Sequence, residues 1–317
     1  MFEVIVNPAG AAGKTMQAWE KVETYLHQHD IAYRAYYSDL QHDVVDIIKE
    51  IMQEEGEKDI ILIGGDGSLN LLVNGIDDFS RIRLGLIPCG SGNDFALAQG
   101  ISKKPLEQLE KIIKKEVVRE LDIGQVEYFN QYDMNNEEVH LSPTRRFNIS
   151  CGIGFDAEIC EKAEAQNKSL KKHLNKINVG KLIYLSVAMK LIFSIDHYDV
   201  KIKVDGKEYP YNQLVFAAIM NEPYEGGGFK FSPNAIATDG EYEICVANNL
   251  GVKDFWRIFP YAYKGNHVKF EGIELLHGKE VEVTSTKPMW VHTDGEVECQ
   301  TTHMKVTFIN DKLRMLN

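Results

Sequence analysis

The chain has two halves that differ in the spacing of their hydrophobic residues. Up to about residue 122, short apolar runs alternate with stretches in which apolar residues recur every three or four positions. The runs predict buried strands, and the stretches predict amphipathic helices. The predicted strands are Val4–Val6, Ile31–Tyr37, Ile60–Ile63 and Leu84–Ile87. The predicted helix faces contain Trp19, Val22 and Leu26, then Val44, Ile47, Ile48 and Ile51, then Leu69, Leu72, Val73 and Ile76. This alternation predicts a parallel sheet covered by helices on both faces.

After Asp122 the apolar residues follow a period of two, which is typical of half-buried strands. The predicted strands are Val200–Val204, Leu214–Met220, Tyr242–Val246, Val281–Val283 and Val306–Ile309, with Asp-Gly turns at Asp205, Asp239 and Asp294. We predict an α/β domain over residues 1–124 and a mostly antiparallel β domain over residues 125–300. The second domain contains a helical insertion at about 157–193, and the last strand, about 300–317, can return to the first domain.

Composition narrows the class of protein. No segment reaches the ~18 unbroken apolar residues of a spanning helix; the best candidate, Leu182–Phe193, is interrupted by Lys190. The N-terminus predicts a first strand rather than a signal peptide. Five scattered cysteines without a CxxC pair favour a reducing cytosol over a disulfide framework or a zinc site. A net charge of −12 argues against a nucleic-acid binder, and it restricts any contact with an anionic membrane to a local surface.

Two glycine-rich segments directly follow predicted strands. They are Gly64-Gly65-Asp66-Gly67-Ser68 and Gly90-Ser91-Gly92-Asn93-Asp94. Glycine lets a ligand approach the backbone closely, and the N–H groups at a helix start bind phosphate oxygens. We expect Ser68 to cap the following helix and Asp66 to face magnesium, which prefers oxygen ligands. A capped Asp-Gly turn explains one such loop, but two at the strand ends of one sheet indicate a nucleotide.

Two further segments resemble phosphate-binding motifs less well. Residues 7–15 follow the first strand but lack Walker A spacing, because only two residues separate Gly10 from Gly13. A phosphate site and a plain strand-to-helix turn both fit this loop. Residues 152–157 match the loose G-x-G-x-x-A dinucleotide pattern, yet they lie in the β-rich half outside a βαβ unit, which argues against a nicotinamide site.

Taken in order, these segments resemble the diacylglycerol kinase catalytic-domain family, and within it the small bacterial lipid kinases. The similar segments are Asn7-Pro8, both glycine loops, Leu121–Gly124, Phe147-Asn148, Gly152–Asp156, Gly226–Gly228, Asp239-Gly240 and Asp294-Gly295-Glu296. Each is short, but the ordered set is specific and spans nearly the whole chain. The resemblance implies an ATP-binding domain of the NAD kinase and phosphofructokinase type, followed by a β-sandwich domain that receives a lipid.

The resemblance also implies a reaction, in which the γ-phosphoryl group of Mg-ATP moves to a lipid hydroxyl such as that of diacylglycerol. The implied ATP contacts are Asn7, Pro8, Ala9, Gly10, Ala11, Ser38, Gly65, Asp66, Gly67, Ser68, Leu69, Asn70, Leu71 and Ser91. Asp66, Asp94 and Asp122 are implied to surround the catalytic Mg²⁺. Asp294 or Glu296 is implied to accept the hydroxyl proton. Asp239, with backbone carbonyls near Ile236 and Glu241, is implied to bind a structural Mg²⁺.

The sequence departs from the family pattern at a few positions. Leu71 replaces a glutamate that is usual in the family, and Ser68 and Ser91 stand where threonine is common. Spacing alone makes Asp294-Gly295 a hairpin turn, and only the resemblance distinguishes it from Asp205-Gly206. We expect the lone histidines His292 and His303 to be packing or surface residues rather than catalysts.

The expected partner is a lipid substrate, reached by transient peripheral contact of a cytoplasmic protein with a membrane; a homodimer is also possible. Six lysines between Lys162 and Lys181 make one stretch locally basic. They form either a solvated helix face or a contact with anionic lipid. Two other functions stay open: a kinase of the same superfamily with a non-lipid acceptor, as in NAD kinases, and a nucleotide-sensing module without catalysis.

Overall fold

The structure is a computed structural model that describes residues 1–8, 13–173 and 180–317, without the side chains of residues 117–118 and 167–185. The chain divides into two units. The first contains Met1–Ile123 together with Asn310–Asn317, and the second contains Gly124–Ile309.

The first unit is built on a parallel sheet. Its strands β1 (Phe2–Val6), β2 (Tyr33–Tyr37), β3 (Lys58–Gly64) and β4 (Ile82–Pro88) pair in the order β4–β3–β1–β2. The helices of this unit are α1 (Lys14–Gln28), α2 (Val44–Gln53), α3 (Asp66–Gly75), α4 (Asp94–Ala98) and α5 (Pro105–Ile112). At the end of the chain, Arg314 and Met315 pair in parallel with Arg83 and Leu84 of β4. All residues of β1 and β3 are buried, as expected for a sheet covered on both faces.

The predicted apolar helix faces are confirmed. Trp19, Val22 and Leu26 of α1 are buried in one core with residues of β1 and β3. In α2 the buried face contains every apolar residue of the prediction, and Asp43 caps the helix by accepting hydrogen bonds from the N–H groups of Val45 and Asp46. Each such buried aliphatic side chain contributes about 1.5–3 kcal/mol, so burial of these faces holds the helices on the sheet.

The second unit is mostly antiparallel, as predicted. Its strands are β6 (Thr144–Phe147), β7 (Ser150–Gly154), β8 (Tyr198–Val204), β9 (Lys207–Met220), β10 (Tyr242–Asn248), β11 (Ile273–Gly278) and β12 (Val281–Thr293), with parts of β5 (Val117–Tyr128) and β13 (Glu296–Leu316). The order is β11–β10–β9–β7–β12–β13, and β8 pairs with β9 and β12. In β8 buried residues alternate with more exposed ones, which is the period-two pattern of a half-buried strand.

Helices α6 (Phe155–His173), α7 (Gly180–Leu191) and α8 (Val252–Ala262) complete the second unit. Most of the basic stretch Lys162–Lys181 has side chains outside the described part of the chain, so its predicted lipid contact stays a prediction. Within the described ranges, no helix has both the length and the apolar character needed to cross a bilayer. All five cysteines are free thiols.

Candidate functional site

Two glycine loops at the carboxyl ends of β3 and β4 pack backbone against backbone. A Cβ atom added to Gly65 would lie 2.7 Å from the Cα atom of Gly90, closer than real Cβ contacts occur. The Cys89 N–H also donates to the Gly64 carbonyl at 2.7 Å. Glycine at positions 65 and 90 therefore allows this contact, which brings the two predicted motifs together at one edge of the sheet.

Asp66 and Asp94 meet at the second of these loops. The Asp66 carboxylate accepts hydrogen bonds from the N–H groups of Asp94 (3.1 Å) and Phe95 (3.3 Å). A Cβ atom on Gly92 would lie 3.0 Å from Asp66 Oδ2 and 3.3 Å from Asp94 Oδ2, so both carboxylates border the space that this glycine leaves open. Carboxylate oxygens are the donors that Mg²⁺ prefers, so the residues present fit this ion.

Asp122, the third predicted member of the magnesium network, is buried and forms an ion pair with Lys312. In the part of the chain that the structure describes, Asp66, Asp94 and Asp122 are not a group whose ligand atoms all lie within 4.8 Å of one another. A place for Asp122 next to Mg²⁺ therefore stays a prediction.

The loop after β1 contacts the loop after β3 through Asn7 and Ser68. Asn7 Nδ2 donates a hydrogen bond of 2.9 Å to Ser68 Oγ. The prediction that Ser68 caps the helix is wrong, because α3 already begins at Asp66 and its N-cap residue is Gly65. Ser68 lies within the first turn, where it is buried and accepts the Asn7 hydrogen bond.

The other predicted ATP contacts differ in accessibility. Ser38 follows β2, and its N–H donates to the Val6 carbonyl at 3.0 Å. The side chains of Leu69 and Asn70 are buried, whereas Ser91 is exposed and Gly67 and Leu71 are half-buried. Pro8 is half-buried at the end of the described segment. Ala9, Gly10 and Ala11 lie outside the described residues.

In the second unit, the turn between β12 and β13 holds Asp294 firmly. Both of its carboxylate oxygens accept backbone hydrogen bonds, from Asn148 (2.9 Å), Ile149 (2.8 Å) and Ser150 (3.1 Å). Asp294 has a φ of 53°, a left-handed conformation that aspartate adopts more readily than most residues. Asp205 in the β8–β9 turn has a φ of 48° and also accepts backbone hydrogen bonds. Turn geometry alone therefore does not distinguish Asp294.

His292 lies at the centre of a buried ionic cluster that the sequence analysis missed. Its Nε2 atom is 2.9 Å from Asp156 Oδ2 and 3.1 Å from Glu225 Oε1, and the imidazole is 0% exposed. Its Nδ1 atom accepts a hydrogen bond of 3.1 Å from the Gly295 N–H, next to Asp294. Burial lowers the pKa of His292, but Glu225 and Asp156 outweigh this effect and raise the pKa to about 9.

Gly152 makes room for this cluster. A Cβ atom at this position would lie 2.1 Å from His292 Nε2 and 2.5 Å from Asp156 Oδ2. Gly154 has a φ of 81°, and a Cβ atom there would lie 2.6 Å from the Val215 carbonyl oxygen. The glycines of the G-x-G-x-x-A match therefore have a structural explanation. They allow β7 to pass directly into α6, whose first turn presents Asp156 to His292.

Asp156, Glu225 and His292 are the one group of three potential metal ligands, among the described residues, whose ligand atoms lie within 4.8 Å of one another. The raised pKa of His292 keeps a proton on Nε2, the ring atom that faces the carboxylates of Asp156 and Glu225. A metal ion at Nε2 would have to displace that proton. The geometry therefore favours a hydrogen-bonded ionic cluster over a metal site.

The predicted structural magnesium ligands lie together in one exposed turn. Asp239 Oδ1 accepts the Glu241 N–H at 3.0 Å, and the Asp239 N–H donates to the Ile236 carbonyl at 3.3 Å. These contacts bring Asp239, Ile236 and Glu241 close together. Binding of Mg²⁺ at this turn stays a prediction.

We expect His292→Gln to destabilise the protein by about 3–5 kcal/mol at pH 6, because it leaves the buried carboxylates of Asp156 and Glu225 without their charged partner. Since the folded-state pKa is raised, this stabilisation is fully present below pH 6.5 and is lost as pH rises through 9. Denaturant unfolding at pH 6, 7.5 and 9 should therefore show a deficit that shrinks with rising pH.

A matched control for this experiment is His303→Gln. His303 Nε2 lies 2.9 Å from Glu282 Oε1, but both side chains are about one-third exposed. Exposed pairs of this kind contribute about 0–1 kcal/mol. A deficit of the same size in both variants, or a His292→Gln deficit that does not change with pH, would contradict the role of the buried cluster.

Solved structures share this fold along nearly the whole chain. The structure of a Bacillus anthracis protein, provisionally named a diacylglycerol kinase, aligns with a TM-score of 0.75 at 22% identity, covering 99% of this chain and 94% of that one. An NAD kinase from Archaeoglobus fulgidus in complex with ATP aligns with a TM-score of 0.52 at 11% identity, covering 100% and 94%. The chain thus has the NAD kinase type of fold that the sequence predicted.

Two protein-family models match this chain and identify its family. Residues 2–126 match the diacylglycerol kinase catalytic domain, and residues 151–316 match the YegS C-terminal NAD kinase beta sandwich-like domain. The chain therefore belongs to the diacylglycerol kinase family of lipid kinases, which confirms the resemblance seen in the sequence.

Relatives align along most of the chain. Bacillus subtilis YtlR, provisionally named a lipid kinase, is 25% identical over 296 residues, 92% of each chain. The diacylglycerol kinase of Staphylococcus carnosus is 26% identical over 310 residues, covering 98% of this chain and 92% of that one. The diacylglycerol kinase of Bacillus subtilis is 28% identical over 238 residues, covering 75% and 70%.

Proposed function

We propose that this protein transfers the γ-phosphoryl group of ATP to the hydroxyl group of a lipid, with diacylglycerol the leading acceptor. The observation that carries the proposal is the convergence of Asp66 and Asp94 on Gly92, where two glycine loops meet at the ends of parallel strands. The names of the Staphylococcus carnosus and Bacillus subtilis relatives support the choice of acceptor. In this proposal the first unit binds ATP and the second binds the lipid.

In the proposed ATP site, catalysis depends on how the phosphates are positioned and how their charge is neutralised, and not on an activated nucleophile of the protein. Phosphoryl transfer passes through a loose transition state, so catalysis consists mostly of orienting the phosphates and neutralising their charge. Backbone N–H groups of the two glycine loops suit phosphate oxygens. Asp66 and Asp94 would hold Mg²⁺, which when bound neutralises phosphate charge. Asp66 also fixes the second loop through the N–H groups of Asp94 and Phe95.

On the acceptor side, the geometry favours different roles for Asp294 and Glu296. Three backbone N–H groups occupy the two oxygens of Asp294, so we assign this residue to holding the turn. Glu296, two residues further on and half-buried, is our candidate for the group that accepts the hydroxyl proton. His292 is a positioning residue for the same turn, because it accepts the Gly295 N–H while it bonds to Asp156 and Glu225.

The direct test is to incubate the purified protein with labelled ATP and either a total lipid extract, diacylglycerol, a sphingoid base or NAD⁺, and to identify the labelled product. We expect label in a phosphorylated lipid, most strongly in phosphatidic acid from diacylglycerol. Labelled NADP⁺ without any labelled lipid would favour an acceptor of the NAD kinase type. Tight ATP binding without transfer to any acceptor would favour a nucleotide sensor.

A further inference from the structure

Helix α8 exposes one stripe of aromatic and basic side chains on its outer face. The stripe contains Lys253, Trp256, Arg257 and Tyr261, together with Pro260 and with Lys264, which lies two residues beyond the end of the helix, and all of them are exposed. The positions within α8 recur every three or four residues, so they lie on one side of the helix. Trp256 is 45% exposed and Tyr261 50% exposed. We call this set the α8 stripe.

The inner face of α8 is held by aromatic packing. Phe255 and Phe259 stack on each other with ring centroids 5.0 Å apart, and Phe259 packs on Phe229 at 4.7 Å. Phe255 also meets Phe155 of α6 edge to face at 5.9 Å. Ile258 and Ala262 are buried on the same side. Phe255 and Phe259 therefore pack inward, whereas Trp256 and Tyr261 of the α8 stripe are on the surface.

The charge of this surface is opposite to that of the whole protein. Residues 252–271 contain four basic and two acidic side chains, although the net charge of the chain is −12. Asp254 is already engaged, since it pairs with Arg257 at 3.3 Å and accepts the Gly251 N–H at 3.2 Å. Within the described part of the chain, Lys253 and Lys264 form no ion pair. The stripe thus offers cations to a negatively charged partner.

Tryptophan and tyrosine concentrate at the boundary between lipid headgroups and acyl chains. Basic residues beside them gain further attraction from anionic headgroups. A helix with this combination on one face lies in the plane of a membrane surface rather than across it. We propose that the α8 stripe docks this protein on the surface of an anionic lipid bilayer.

The same helix is linked to the turn that we assign to the lipid acceptor. Tyr263, directly after α8, meets the ring of Phe229 edge to face at 5.9 Å. Phe229 and Glu225 exchange two backbone hydrogen bonds of 2.9 and 3.0 Å across the Gly226–Gly228 loop. Glu225 contacts His292, which accepts the Gly295 N–H. A bilayer at the α8 stripe would therefore contact the helix that is connected, through Phe229, Glu225 and His292, to the turn that contains Asp294 and Glu296.

This docking proposal rests on the proposed lipid-kinase function, because docking would bring the protein to its lipid substrate. Its test does not require catalysis. The experiment is co-sedimentation of the full-length protein with vesicles of phosphatidylcholine alone or with added phosphatidylglycerol, at low and high salt. We expect binding only to the anionic vesicles, weakened by salt. K253Q/R257Q/K264Q should lower the partition coefficient roughly 100-fold, and W256A/Y261A should lower it roughly tenfold.

The matched control is K201Q/K207Q/K279Q, which removes the same charge from three exposed lysines elsewhere in the second unit. It should bind almost like the wild type. Equal binding by the control and the stripe variants, no preference of the wild type for anionic vesicles, or loss of binding only in K162Q/K168Q/K172Q would overturn the proposal. The stripe variants should keep wild-type activity on a dispersed short-chain diacylglycerol. Stripe-dependent binding by a protein that phosphorylates no lipid would support docking and overturn the kinase proposal.

Discussion

Asp66→Ala is expected to abolish phosphoryl transfer and leave a folded protein. The substitution removes one of the two carboxylates that border Gly92 and removes the acceptor for the N–H groups of Asp94 and Phe95. Loss of a preorganised charged group in a transfer site typically costs at least about 10²–10³-fold in kcat. Since Asp66 contributes both charge and loop position, we expect a decrease of about 10³-fold or more. Steady-state kinetics with ATP and diacylglycerol measure this effect.

Two further variants separate the roles of Asp66. Asp66→Asn keeps an oxygen acceptor for the loop but removes the charge, so it should be nearly as inactive as Asp66→Ala. If Asp66→Asn retained near-normal turnover, Asp66 would serve only to fasten the loop. Asp77→Ala removes an exposed acid just beyond the same helix and should leave turnover unchanged. Circular dichroism and thermal unfolding of all three variants show whether the fold is kept.

Asp294→Ala is expected to abolish turnover for a different reason, since it releases the turn rather than removing the proton acceptor. The N–H groups of Asn148, Ile149 and Ser150 would lose their carboxylate acceptor. Loss of a partner for buried N–H groups costs about 1–3 kcal/mol of stability. Glu296→Gln should lower kcat by about 10²–10⁴-fold, the range of a lost general base. It should do so without a comparable loss of stability.

Asp205→Ala is the matched control for Asp294→Ala. Asp205 also has a left-handed backbone in an Asp-Gly turn and accepts the N–H groups of Lys279 and Glu280. Because these hydrogen bonds are exposed, its substitution should destabilise the protein less than Asp294→Ala, and it should leave turnover intact. Equal loss of turnover in both variants would show that the turn held by Asp294 has no specific role in the reaction. A Glu296→Gln variant with wild-type turnover would exclude Glu296 as the base.

The sequence alone determined the class of fold, because hydrophobic period is a local property. Buried β1 and β3 contain the apolar runs Val4–Val6 and Ile60–Ile63, α1 and α2 have their apolar residues at helical spacing, and β8 alternates. The glycine loops are also local, and their place after strands put them at the carboxyl edge of a parallel sheet. The family resemblance then singled out Asp294-Gly295-Glu296, which turn chemistry alone does not distinguish from Asp205-Gly206.

Contacts between residues that are far apart in the chain could be identified only from the folded structure. Asp156, Glu225 and His292 are far apart in the sequence, and no local pattern marks them, yet folding buries them together and leaves Gly152 no room for a side chain. Ser68 does not cap α3, because the helix already begins at Asp66, and its hydroxyl accepts a hydrogen bond from the distant Asn7. The sequence of α8 does not show which aromatic residues face outward. In the structure Phe255 and Phe259 pack inward, and Trp256 and Tyr261 are exposed. The period of hydrophobic residues indicates which helices and strands form. Which side chains contact each other depends on packing between these elements, and a local sequence pattern does not contain that information.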